Sequence, residues 1–252
     1  MISAFERDIT GYKMNKKSNP ENNRKERKMR KVLIFTLAIL IIGAGFAQRS
    51  EAGLNYGLKL GLSAANLAGQ DIAVGDINPA NRMGLSGGAY FNLSTPWQVD
   101  FLSAKVALQS EILYSMRGAK YSTDVQDYTL QYDYLEFPFL FKLTSTKDKP
   151  VHASIYAGVS AGLKMKSEIA ASSANLNLAT SAADTLLMSS VGEVTGINDY
   201  DAGFILGADF DLVNEKFLFD VRYYMGMTKL QEGANPADVR NSNLMVWLGY
   251  KF

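Results

Sequence analysis

From Tyr56 to Phe252 the apolar residues recur at every second position, in eight separate stretches, with no sustained helical period among them. Successive side chains of a strand point to opposite faces, so this pattern dictates strands with one apolar face each and leaves no helical domain. The stretches are Tyr56 to Asn66, Arg82 to Leu93, Leu102 to Arg117, Leu130 to Leu143, Val151 to Lys166, Tyr200 to Leu212, Lys216 to Met227 and Ser242 to Phe252. Most exceed the roughly 5 to 6 residues usual in globular sheets, and about 9 to 11 residues tilted near 45° suffice to cross a hydrocarbon layer.

The connections alternate in length. They are long at Leu67 to Asn81, short at Ser94 to Phe101, medium at Gly118 to Thr129 and short at Thr144 to Pro150. They continue very long at Ser167 to Asp199, very short at Val213 to Glu215 and medium at Thr228 to Asn241. An even strand count with short turns at one end and longer loops at the other predicts an all-β fold. It is an eight-stranded antiparallel up-and-down transmembrane β-barrel of the outer-membrane type, with turns and termini on the periplasmic side. The segment 167–199, rich in Ala, Ser, Leu and Thr, is expected to be an outer loop able to contact a protein partner.

The two faces differ chemically. In the last strand Leu244, Val246, Leu248, Tyr250 and Phe252 oppose Asn243, Met245, Trp247, Gly249 and Lys251; in the fourth, Leu135, Phe137, Phe139, Phe141 and Leu143 oppose Glu136, Pro138, Leu140 and Lys142. The second face carries Gly, Ser and Ala with charges of both signs, which suits the crowded interior of a small barrel, where charges need partners. The expected interior polar network is Glu111, Arg117, Glu136, Lys142, Asp220 and Arg222, in which Glu111 and Glu136 face Lys142, Arg117 and Arg222. Trp97 with Tyr90, Tyr121, Tyr128, Tyr132 and Tyr223 is expected to form an interfacial girdle. Pro138 has no N–H for a ladder and is expected at a bulge. The alternative, with the apolar face inward, is a soluble periplasmic lipocalin-like barrel binding a small apolar ligand.

Upstream, Met29-Arg30-Lys31 precedes the uncharged apolar run Val32 to Phe46 and the small-residue ends at Ala47 and Ala52. This is the pattern of a secretory signal peptide, over 29–52, too short for a membrane-spanning helix. Residues 1–28 form a polar extension before an expected start at Met29, and 53–252 form the barrel domain. Residues 1–47 hold 10 Lys and Arg against 4 Asp and Glu, leaving 16 basic and 21 acidic residues for the remainder. A folded part with that balance offers no basic face, so no nucleic-acid partner is expected.

Chemistry is scarce. The chain has no Cys and a single His, His152, which excludes thiolate nucleophiles, disulfides and multi-His metal sites. Asp71 with Asp76, and Asp124 with Asp127, specify no cage, and Gly84-Leu85-Ser86-Gly87-Gly88 lacks the following Lys-Ser/Thr of a phosphate loop. No catalytic, metal or cofactor residue is assigned, and a non-catalytic role is expected.

Several stretches resemble the PorT family of outer-membrane β-barrel proteins of Bacteroidota. They include Gly57-Leu58-Lys59-Leu60-Gly61-Leu62-Ser63, Leu108-Gln109-Ser110-Glu111-Ile112-Leu113-Tyr114-Ser115-Met116-Arg117-Gly118 and Tyr134-Leu135-Glu136-Phe137-Pro138-Phe139-Leu140-Phe141-Lys142. Asp220-Val221-Arg222-Tyr223-Tyr224-Met225-Gly226 and Leu248-Gly249-Tyr250-Lys251-Phe252 continue the likeness. The resemblance implies an eight-stranded barrel in outer-membrane lipid, no cofactor, and, from one family member, a place beside protein secretion across that membrane. The aromatic end at Tyr250 and Phe252 resembles the signal that barrel-insertion machinery reads.

Overall fold

The computed structural model describes residues 53–73, 77–122, 126–146, 152–173, 197–212, 216–231 and 237–252. The expected polar extension 1–28, the expected signal peptide 29–52 and most of the expected outer loop, 174–196, lie outside them. Eight strands follow one another: β1 Leu54–Gly69, β2 Ala80–Val99, β3 Ala104–Ser122, β4 Gln126–Ser145, β5 His152–Ser173, β6 Tyr200–Leu212, β7 Phe217–Lys229 and β8 Val239–Lys251. Each pairs antiparallel with its sequence neighbours, and β8 pairs with β1 to close the ring.

The stagger of that closure can be followed residue by residue. Stepping across the ladders from Tyr56 through Phe91, Ser110, Phe139, Val159, Phe204, Met225 and Ser242 returns to β1 at Asn66, ten residues further on. Eight strands with such a shear must tilt, by about 35–45° for barrels of this kind, and the enclosed space is one that side chains can fill.

The faces divide as the alternation requires. Leu58, Leu60 and Leu62 point outward, Leu60 being 73% exposed, whereas Lys59 between them is 1% exposed. The same inversion recurs on β8, where Leu244, Val246, Leu248 and Tyr250 are exposed and Met245 and Trp247 are buried. A barrel that hides its lysines and displays its leucines is built for an apolar solvent. The lipocalin-like alternative required the opposite arrangement. On β4 the apolar outer run, Leu135 to Leu143, ends against buried Asp133, a length that matches a tilted crossing of the hydrocarbon.

Several expectations change. The strands outrun the hydrophobic pattern: β2 absorbs the predicted turn at Ser94, β3 and β4 are separated only by 123–125, and β5 continues through Ser173 into the predicted loop. Backbone ladders such as Tyr121↔Tyr128 and Gln131↔Glu168 do not need an apolar face to form. Pro138 makes no bulge. The ladder to β3 lapses between Ser110↔Phe139 and Leu113↔Glu136 but resumes in the same register, while the ladder to β5 runs unbroken through Pro138↔Ser160. The missing donor therefore falls on the β3 side and is absorbed without a shift.

The aromatic girdle is also composed differently. Tyr90, Tyr121, Tyr128 and Tyr132 are buried inside the barrel; of the expected set only Trp97 and Tyr223 face outward. The turn end is instead ringed by Tyr56, Phe91, Trp97, Phe101, Phe141, Phe210, Phe217, Tyr250 and Phe252. Phe252 packs on Tyr56 and Tyr250, and Tyr250 on Phe217, with centroids 5.4 to 5.8 Å apart.

Candidate functional site

The interior is layered from the turn end to the loop end. Nearest the turns lies an open vestibule of about 390 Å³, lined among others by Asn55, Asn92, Lys105, His152, Asp211 and Lys251. Lys251 pairs with Asp211 at 3.6 Å. At the inner side of this vestibule Lys142 Nζ donates to Asp209 Oδ2 at 2.6 Å and to Gln109 Oε1 at 3.3 Å.

Next comes a four-residue ion cluster. Arg222 donates to both oxygens of Glu111, at 2.7 and 3.1 Å, and also to Asp220; Lys59 donates to Glu111 at 2.6 Å and to Asp220 at 3.3 Å. The Tyr156 hydroxyl donates to Asp220, and Gln109 Nε2 donates to Glu111 at 2.5 Å. Both cations lie near the Trp247 ring, Lys59 at 4.9 Å and Arg222 at 5.7 Å from its centroid. These side chains are at or below 2% exposed, so each charge depends on its partners.

Large rings fit here because glycines face them. A Cβ on Gly61 would come within 2.8 Å of the Trp247 ring, and one on Gly207 within 2.4 Å of the Tyr156 hydroxyl. Glycine at these positions clears the space the rings fill.

An apolar belt follows, formed by Leu113, Leu140, Ile205 and Met245 with parts of Tyr156, Tyr224 and Trp247. Above it, Arg117 Nη2 meets Glu136 Oε2 at 2.7 Å and its Nη1 meets Asp201 Oδ2 at 2.8 Å. Tyr224 Oη and Asn241 Nδ2 also donate to Asp201, at 2.8 and 3.0 Å, and the guanidinium lies 3.7 Å from the Tyr224 ring centroid. Toward the loop end Leu67, Tyr121, Tyr128, Leu130, Tyr132, Ile197 and Leu230 pack together as a buried cap. Tyr121 ties this cap to the first loop by donating to the Ile72 carbonyl at 2.8 Å.

The outer membrane protein beta-barrel domain matches residues 46–232. The chain belongs to that family. It is an outer-membrane β-barrel protein. No curated protein matches it. Among solved structures it is similar to Ail of Yersinia pestis, crystallised with the heparin analogue sucrose octasulfate, at 13% identity over 79% of this chain and 99% of that one, TM-score 0.35. Neisserial surface protein A matches at 11% identity over 79% and 99%, TM-score 0.38. The outer membrane enzyme PagL matches at 10% over 76% and 98%, TM-score 0.37.

In this outer-membrane barrel the six residues expected to form one network are all buried, but they fall into three groups. Glu111, Asp220 and Arg222 meet with Lys59; Arg117 meets Glu136 with Asp201; Lys142 meets Asp209 and neither glutamate. Asp201 was missed, although it shares the inward parity of Gly203, Ile205 and Asp209 on β6. His152 lies at the vestibule rim, opposite Asp211 in register. Asp71 accepts the Asp238 backbone N–H at 2.7 Å; Asp76 and Asp124 lie outside the described residues.

Proposed function

We propose that this protein is a non-conducting, non-catalytic barrel that acts by holding partners at its two ends. Export by the signal segment 29–52 and insertion through the Tyr250 and Phe252 terminus deliver it with its turns in the periplasm and its loops outside. The observation that carries this reading is the filled interior: among the described residues, two ion clusters, an apolar belt and a tyrosine-rich cluster occupy the barrel from the vestibule to the loop end. The resemblance to the PorT family of Bacteroidota supports a partner in a protein-secretion assembly, with the segment 167–199 as one contact surface.

Conductance tests the central point. The purified protein, reconstituted in a planar bilayer and verified as folded by faster migration unboiled than boiled, is expected to pass no resolved current. Stable conductance steps from the folded protein would overturn the reading.

A further inference from the structure

Among the described residues, the barrel interior is packed toward the loop end by a tyrosine-rich cluster and opens into the vestibule at the turn end. The vestibule's volume of about 390 Å³ lies within the range of small-ligand sites, roughly 300–1,000 Å³. Its lining is unlike that of a lipid or drug pocket. Asn55, Asn92, Ser94, Thr144 and Lys105 line it, beside a Gln109 amide held by Glu111, Lys142 and Asn92. An apolar occupant would strip these groups of water and return nothing, so the cup selects a ligand rich in hydrogen-bonding groups.

Charge narrows the ligand further. Lys142 is neutralised by Asp209 and Lys251 by Asp211. Lys105 makes no ion pair among the described residues and is exposed at the mouth. One uncompensated ammonium complements one carboxylate; a phosphate dianion would set excess negative charge beside Asp211. Amide side chains at Asn55 and Asn92, with hydroxyls around them, match the donors and acceptors of a peptide backbone.

We propose that the vestibule binds a carboxylate-bearing peptide segment presented from the periplasm, with Lys105 as the residue that takes the carboxylate. This names the partner chemistry at the periplasmic end of the proposed interaction barrel and rests on that orientation. The segment would enter carboxylate first, its backbone amides facing Asn55 and Asn92.

Two measurements on the full-length protein in detergent micelles and in cells separate the proposal from the reading beneath it. A fluorescently labelled, N-blocked tri-glutamine peptide with a free C-terminal carboxylate is expected to bind saturably by anisotropy, and its C-terminal amide counterpart about tenfold more weakly. Lys105→Glu should weaken binding of the free-carboxylate peptide by about tenfold or more while leaving heat-dependent gel mobility unchanged, because Lys105 makes no ion pair among the described residues. Absence of saturable binding, equal binding of the two peptides, or binding indifferent to Lys105→Glu would overturn the ligand. For orientation, the chain has no cysteine, so Lys105→Cys provides a single thiol. A membrane-impermeant maleimide should label it only after the outer membrane is permeabilised. Labelling in intact cells would overturn the periplasmic assignment and the orientation it rests on, whatever the peptide does.

Discussion

The two buried ion clusters solve one problem in different ways. The cluster nearer the turns is balanced: Lys59 and Arg222 face Glu111 and Asp220, and every cation reaches both acids. The cluster nearer the loops sets one cation, Arg117, against two acids, Glu136 and Asp201, and satisfies the second acid with neutral donors from Tyr224 and Asn241. Glu136 Oε1 and Arg117 Nε find no hydrogen-bond partner among the described residues. The first cluster is a closed circuit in which charges back one another up, whereas the second hangs on a single guanidinium. Burial makes that difference measurable, since removing one member of a buried pair strands the other.

The largest contrast should come from the two arginines. Arg117→Met leaves Glu136 and Asp201 with no cation, whereas Arg222→Met leaves Glu111 and Asp220 still sharing Lys59. Stranding buried charge in this way costs about 3–5 kcal/mol, so both variants should lose the fast-migrating folded form at lower temperature, Arg117→Met by more. A greater loss for Arg222→Met would break the comparison at its root.

The acids should reverse the order. Glu136→Gln converts an excess of carboxylate into a one-to-one pair of Arg117 with Asp201 and keeps an amide oxygen for the guanidinium. Its cost should stay within about 1 kcal/mol. Glu111→Gln unbalances the closed cluster, leaving Lys59 and Arg222 to share Asp220, and should cost about 3 kcal/mol. Urea unfolding of the protein in lipid vesicles reads both; equal midpoints would show that charge count is not what separates the clusters.

Much of this arrangement is legible in the sequence, and the limits are physical. Alternation assigns the inward face, so Lys59, Glu111, Lys142, Asp209 and Arg222 follow from parity alone. The same parity holds the correction to the girdle. Tyr128 and Tyr132 stand an even number of residues from Glu136, so they share its inward face, and a preference of tyrosine for interfaces cannot outweigh the period of the strand. Across the barrel, pairing was not legible. Which acid meets Arg222 depends on the ten-residue stagger of closure, a property of all eight registers together that no single strand encodes. That is why six charges could be placed inside, with Arg222 meeting Glu111 and Arg117 meeting Glu136 as expected, while Lys142 goes to Asp209 and the six divide into three groups.

The smallest effect tests whether the clusters are two units or one. Glu111 and Arg117 lie six residues apart on β3, about 20 Å along the strand, with Leu113 of the apolar belt between them. No ion pair or hydrogen bond between charged side chains links the two groups among the described residues, so their free energies should add. The double variant Glu111→Gln/Glu136→Gln should therefore equal the sum of its singles to within about 0.5 kcal/mol. Lys59→Met/Glu111→Gln, whose partners touch at 2.6 Å, should instead depart from additivity by about 0.5–3 kcal/mol, because the first substitution removes what the second would have stranded. Coupling of similar size in both cycles would mean that charge is shared along the whole barrel through the belt. The contrast between a balanced and an unbalanced cluster would then describe only the positions of the atoms, not the energetics.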